Sequence, residues 1–243
     1  MMEEEFLPIL KVESDKIKSK VLVCGDPERA ARIGDKLNQA EEVSYNREFR
    51  LINGERNGEP VSVVSHGVGS SGAAACFEEL VRGGVEEVIR VGTAGSLTRK
   101  AKDGDLVIAS GAIREDGMSH QMVKESYPAI ADHEVVRRLN SSANKQGNDP
   151  KTGIVLTSGL FYPELEERPS NYFQDTPAIA VEMEASVLFV IASLNGVKAG
   201  TVLTIDGVAV DFDAEKYDPH RDVVDRGIDN GIEVALEAIV SSG

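Results

Sequence analysis

Four clusters carry side chains suited to chemistry, and each follows an apolar run of strand length. The first, "GDPERAARIG", starts at Gly25. Asp26 suits a helix N-cap, Pro27 the first helical position, and Arg29 then falls in the first turn beside unpaired backbone N–H groups. That makes a compact anion site, and it is also what an ordinary capped helix with a surface arginine looks like. The second cluster lies in "VSVVSHGVGSSGAAACFEEL", where Gly67, Gly69 and Gly72 have G-x-G-x-x-G spacing. A dinucleotide turn of that type needs an acidic side chain at the end of the next strand, to hold a ribose hydroxyl. In "EEVIRVGTAGS" the carboxylates, Glu86 and Glu87, stand at the wrong end, and the far end carries Arg90, Gly92, Thr93 and Gly95. The dinucleotide fingerprint fails there, leaving only a version in which an arginine accepts the extra phosphate of NADP. A glycine-rich turn beside a second turn bearing Arg and Thr better suits one small oxyanion and a sugar.

The third cluster is "AVEMEASVLFV". Glu182 and Glu184 precede a strongly apolar helix and are expected to diverge. Each reads either as a helix cap or as an acceptor for sugar hydroxyls. The fourth is Asp206, which follows the strand "TVLTI" and precedes Gly207. It reads equally as an acid or base and as a turn former. His66, His120, His133 and His220 show no metal-ligand spacing and read as satisfied polar or surface residues, so no metal site is expected. No P-loop lysine and no nucleophile elbow is present. Cys24 and Cys76 sit in apolar runs and read as buried free thiols.

The elements that must position these residues are legible as alternation. Apolar runs such as "KVLVCG", "PVSVVSHG", "EEVIRVGTAG", "DLVIASGA", "TGIVLTSG" and "AGTVLTIDG" are separated by segments with helical spacing, "PERAARIGDKL", "GAAACFEELVRGG", "DHEVVRRLNSSA" and "EASVLFVIASLNG". This predicts one α/β domain over residues 1–243, with a central, mixed but mostly parallel β-sheet flanked by helices. Ligands in such folds bind beyond the carboxyl ends of the strands. "RDVVDRGIDNGIEVALEAIV" reads as a closing amphipathic helix, and residues 208–220 as an unusually long loop. A chain of 243 residues that is 41% hydrophobic has enough apolar surface for a full core. Its net charge of −15 argues against nucleic acid and anionic membranes, so an anionic ligand must be captured locally. No apolar run is long enough for a bilayer and the acidic start does not resemble a signal peptide, which makes the cytoplasm the expected location.

Taken together, "GDPER", "YNREFR", "SHGVGSSG", "IRVGTAGSL", "FYP", "VEMEAS" and Asp206 resemble the nucleoside phosphorylase family, which includes hexameric purine nucleoside phosphorylases and uridine phosphorylases. The motifs stand in family order over nearly the whole chain. "NREFR", "CFEEL", "REDGMSH" and "TIDG" are most similar to the purine nucleoside phosphorylases of apicomplexan parasites, while "REDGMSHQMVKESYPAIADHEV" is also similar to uridine phosphorylases.

The resemblance implies phosphorolysis of a nucleoside to free base and ribose 1-phosphate, with inorganic phosphate as co-substrate and no cofactor. Carried across by motif, Gly25, Arg29, Arg90 and Thr93 grip phosphate. Met183 and Glu184 hold the ribose, with Glu182 beside them, and Phe161 stacks on the base. Asp206 protonates the departing base. The resemblance also implies a homo-oligomer, a hexamer built as a trimer of dimers, in which Arg47 reaches a neighbouring subunit's site. Phe212, alone in a long acidic loop, is expected on a lid over the base. Purine ribonucleosides such as inosine and guanosine are the expected substrates, with uridine phosphorolysis the alternative. Two departures bear on this. Ile9 stands where family members commonly place a His against the 5′ hydroxyl, which favours tolerance of 5′-modified nucleosides. Leu165 and a displaced Arg168 stand where uridine phosphorylases carry the Gln and Arg that read a pyrimidine.

Overall fold

The computed structural model describes residues 5–98, 100–162, 172–210 and 217–241. The first part of the chain forms β1 (Phe6–Leu7), β2 (Val12–Glu13), β3 (Lys20–Cys24), α1 (Pro27–Gly34), β4 (Asn38–Asn46), β5 (Phe49–Arg56), β6 (Glu59–Ser65), α2 (Ser70–Arg82) and β7 (Glu87–Ser96). It continues through β8 (Leu106–Glu115), α3 (Ser119–Met122), β9 (Ala129–Ile130), α4 (His133–Lys145), β10 (Lys151–Ser158), β11 (Ala180–Glu182), α5 (Ala185–Leu194), β12 (Lys198–Val208) and α6 (Asp222–Val240). On β3, Val21 and Val23 enter one apolar core and Leu22 and Cys24 another. That alternation is what a strand covered on both faces requires. Helices α2 and α5 line the first core through Ala73, Leu80, Val187 and Phe189. Helices α1, α4 and α6 line the second through Ile33, Leu139, Ile232 and Leu236. Residues 185–192 of α5 are all buried, as a helix apolar on every side must be.

The large sheet runs β11-β10-β8-β12-β7-β3-β6-β5-β4, and β11 also pairs with β7, so that β7, β12, β8, β10 and β11 close into a ring. Parallel ladders join β3 to β6 and β7, β7 to β12, and β10 to β8 and β11. Antiparallel ladders join β4, β5 and β6, and within the ring β8 to β12 and β7 to β11. Because β6, β3, β7 and β12 are parallel neighbours, their carboxyl ends open on one side, where Gly25, Gly67, Thr93 and Asp206 follow or end them. One detail of β12 displaces a candidate site residue. Its register against β7 passes from Ile205 opposite Ala94 to Gly207 opposite Gly95, leaving Asp206 as an extra residue. Such a bulge turns one side chain out of the ladder's alternation.

The hairpin β4–β5 does not stand out among the apolar runs of the sequence. Most of β4 is exposed, so the strand carries no apolar signature and is held by its ladder to β5. Among the described residues, no helix is long and apolar enough to cross a membrane. The expected lid residue, Phe212, lies outside the described residues, as do Leu165 and Arg168.

Candidate active site

A cleft of about 670 Å³ opens at these carboxyl ends. Gly25, Arg29, Arg90, Thr93, Phe161, Glu182, Met183, Glu184 and Asp206, drawn from five separated segments, all line it. Arg47 does not. It is exposed, at φ +57°, in the turn between β4 and β5, beside a cleft residue absent from the sequence reading, Glu48.

The glycine-rich turn between β6 and α2 works differently from a dinucleotide turn. Gly69 is the N-cap of α2 at φ +93°, a conformation that disfavours a side chain, and its N–H donates to Glu184 Oε1 at 2.5 Å. Ser70 Oγ donates to the carbonyl of Met183 at 2.5 Å. The anion at this helix N-terminus is therefore the protein's own carboxylate. The turn holds the Met183–Glu184 segment in place.

Glu182 and Glu184 converge instead of diverging, because the chain turns sharply where β11 gives way to α5. Arg90 Nη2 donates to Glu184 Oε2, and Arg90 Nη1 lies 3.2 Å from Glu182 Oε2. All three side chains are more than nine-tenths buried. The two acids divide the alternatives that the sequence left open. Glu182 is the cap: its Oε2 accepts from the N–H groups of Glu184 and Ala185, both at 2.8 Å, and its Oε1 from Thr157 Oγ1 at 2.6 Å. Glu184 makes no side-chain cap and faces the cleft. Burial pushes Glu182 above the usual carboxylate range despite Arg90. Burial also opposes ionisation of Glu184, but Arg90 and the Gly69 N–H overcome it and hold Glu184 low. Gly92 is needed under this arginine, since a Cβ there would lie 2.5 Å from Arg90 Nη1. Arg90 keeps Nε and Nη1 without hydrogen-bond partners among the described residues.

Arg29 follows the capped start of α1, where Asp26 accepts from the Glu28 N–H at 2.9 Å. It is half-buried, and its Nη1 reaches the Val91 carbonyl at 3.5 Å. Asp206, displaced by the bulge, is 7% exposed. Burial raises its carboxyl above the usual range, against the pull of hydrogen bonds from the Tyr217 and Thr93 side chains. Tyr217 OH donates to Asp206 Oδ2 at 2.9 Å. Phe161 stands at the rim, 42% exposed, edge-on to Tyr162 at 4.7 Å and tilted toward Tyr217 at 6.1 Å. Sequence reasoning missed Tyr217 because its stretch, "DAEKYDPH", shows no apolar periodicity to single it out. Glu48 had a signal, its place inside "NREFR".

His66 is not on the surface. It is wholly buried against Phe77, with Nδ1 2.8 Å from the Gly67 carbonyl and Nε2 without a partner among the described residues. Burial pulls its imidazole down to about 4. Cys24 and Cys76 are free and buried, and burial pushes the Cys24 thiol up to about 12, which leaves it inert. Among the described residues, no group of three His, Cys, Asp or Glu side chains is placed to hold a metal ion.

Residues 19–240 match the phosphorylase superfamily. A purine nucleoside phosphorylase of Plasmodium vivax is 36% identical over 239 residues, covering 97% of this chain and 96% of the relative. A uridine phosphorylase of Haemophilus influenzae is 33% identical, covering 89% of this chain and 90% of the relative. A crystal structure of purine nucleoside phosphorylase from Toxoplasma gondii in complex with immucillin-H superposes with a TM-score of 0.93 at 27% identity, covering 98% of this chain and 97% of that one.

Proposed function

Since the chain belongs to the phosphorylase superfamily and is a nucleoside phosphorylase, we propose that it cleaves purine ribonucleosides, inosine and guanosine foremost, with inorganic phosphate. The observation that carries the purine reading is Asp206. A carboxyl buried on a strand bulge, biased toward its protonated form and lining the cleft that holds Arg29, Arg90 and Glu184, is a proton donor for a leaving purine. The Plasmodium relative supports the same reading, and the Haemophilus relative keeps uridine as the second.

In the proposed reaction a phosphate oxygen attacks C1′ of the ribose and the C1′–N9 bond breaks, sending its electron pair into the purine. Positive charge grows on the sugar and negative charge on the base. Arg29, Arg90, Thr93 and the backbone at Gly25 hold the phosphate. This is how a chain of net charge −15 captures an anion: its guanidinium groups are concentrated in one cleft. Glu184, kept ionised by Arg90, accepts from the ribose hydroxyls, and its charge favours the cationic sugar, an interaction fixed before substrate arrives. Met183 packs on the ribose, Glu182 holds Arg90 and the start of α5, and Phe161 stacks on the base. Asp206 delivers its proton to N7. The step moves no redox electrons and takes its nucleophile from phosphate, so it requires no cofactor.

Arg47 is assigned to a neighbouring subunit's cleft, within a homo-oligomer arranged as a trimer of dimers. It is exposed and outside its own cleft, and Asn46 beside it bonds the Ile9 carbonyl at 2.8 Å. The Arg47 turn and Ile9 therefore form one patch, the geometry expected if both serve the same partner. The two buried thiols fit a reducing cytoplasm. The test is base release from inosine, guanosine, adenosine and uridine, each with and without phosphate. Phosphate-dependent release that is faster from inosine and guanosine than from uridine is expected. Faster release from uridine would reverse the substrate ranking, and phosphate-independent release would make the protein a hydrolase.

A further inference from the structure

We propose that Tyr217 is a positioning residue for Asp206: its phenol fixes the carboxyl so that the transferable proton is carried on the oxygen left for the base. The inference rests on the purine reading above. Its ground is geometric. Tyr217 comes from the segment before α6, lies against Gly207, where a Cβ would approach its ring to 3.1 Å, and donates to Asp206 Oδ2 at 2.9 Å. With Oδ2 engaged as an acceptor, the acid's own proton is directed to the other oxygen. Asp206 needs such a guide because the bulge removes it from the ladder that orients its neighbours.

The segment is itself anchored. Arg221 donates to the Asp206 carbonyl at 3.1 Å, to the Asp218 carbonyl at 2.8 Å and to the Asp103 carboxylate at 2.6 Å. Tyr217 is therefore held at the strand end by a latch that does not touch the carboxyl. The other groups facing Asp206 are Thr93 from β7, the Arg29 charge from α1 and the Arg221 charge at the start of α6, with Tyr162 beside the phenol. Tyr217 and Thr93 both favour the ionised acid and oppose burial. Removing the phenol thus lets the carboxyl keep its proton to higher pH while losing its orientation.

The experiment compares Tyr217→Phe with the wild type, using inosine and 7-methylinosine at saturating phosphate across pH. 7-Methylinosine is already cationic at N7 and leaves without a proton. For inosine, kcat is expected to fall about tenfold, the scale of one hydrogen bond to a charged group, and the alkaline limb of its pH profile to move upward. The 7-methylinosine rate should stay within about twofold, with an unchanged melting temperature. In an Asp206→Asn background the same substitution should do nothing more to inosine. Equal losses on both nucleosides, an unmoved alkaline limb, or a further loss in the Asp206→Asn background would overturn the proposal. A wild type that phosphorolyses uridine but not inosine would overturn the purine reading and this proposal with it, and the wild-type arm separates that outcome from a failure of Tyr217 alone.

Discussion

The two sides of the cleft are built on opposite plans. On the Arg90 side, both oxygens of Glu182 and both oxygens of Glu184 are occupied by backbone N–H groups, a threonine and one guanidinium, and the three charged side chains are almost wholly buried. On the Asp206 side the acid stands outside the strand register, bonded by two hydroxyls, and Phe161, tilted toward Tyr217 in the same cleft, is 42% exposed. The first side is held by the protein's own groups. The second is oriented by few groups and opens to the rim. In the proposed reaction the fixed side faces the ribose and phosphate common to every nucleoside, and the open side faces the base, in which the substrates that name the purine and uridine relatives differ.

Breaking the fixed side should cost the most. Arg90→Ala leaves two carboxylates buried together without their cation, so turnover should be abolished and the fold weakened by about 3–5 kcal/mol, measured by denaturant titration. Arg29→Ala, at a half-buried site, should lose phosphate binding and turnover with the melting temperature nearly unchanged. If both variants lost activity with equal stability, the claim that one side is held by its own charges would fail. Asp206→Asn should lower kcat for inosine by about 10²–10⁴-fold with little change in KM or melting temperature, read by steady-state kinetics; an unchanged kcat would remove Asp206 from the chemistry.

The buried histidine gives a smaller effect, with a defined sign. His66 is depressed from 6.5 to about 4, so the unfolded chain binds its proton first. The associated stability is full above pH 6.5 and drains away as pH falls through 4, on the order of 3 kcal/mol in all. Denaturation midpoints between pH 7 and 4 should show that slope, and His66→Phe should flatten it. Smallest is the rim: Phe161→Ala should raise KM for inosine about tenfold or less, the scale of one base stacking on an exposed ring, with kcat nearly kept. A large kcat loss there would mean that the rim, too, is pre-organised.

Much of the architecture was legible because burial writes itself into sequence. β3, β6, β7, β8, β10 and β12 are apolar runs covered on both faces, and α5 is apolar on all sides. β4 was not legible, since an exposed polar strand held by one ladder has no pattern to show. Residue types singled out Arg29, Arg90, Glu184 and Asp206, which the structure brings to one cleft, but not how they are wired. That Glu182 caps a helix while Glu184 occupies the N-terminus of α2 depends on contacts between segments more than 100 residues apart in the second case. The bulge at Asp206 is a matter of register between β12 and β7, and Tyr217 enters the site only because the chain returns to that strand end. None of these leaves a local trace.

The most direct test of the whole account follows the phosphate. With inosine and radiolabelled inorganic phosphate, the wild type should transfer one label to ribose 1-phosphate for each hypoxanthine released, and Arg29→Ala should lose both together. Hypoxanthine released without label reaching the sugar would contradict the account.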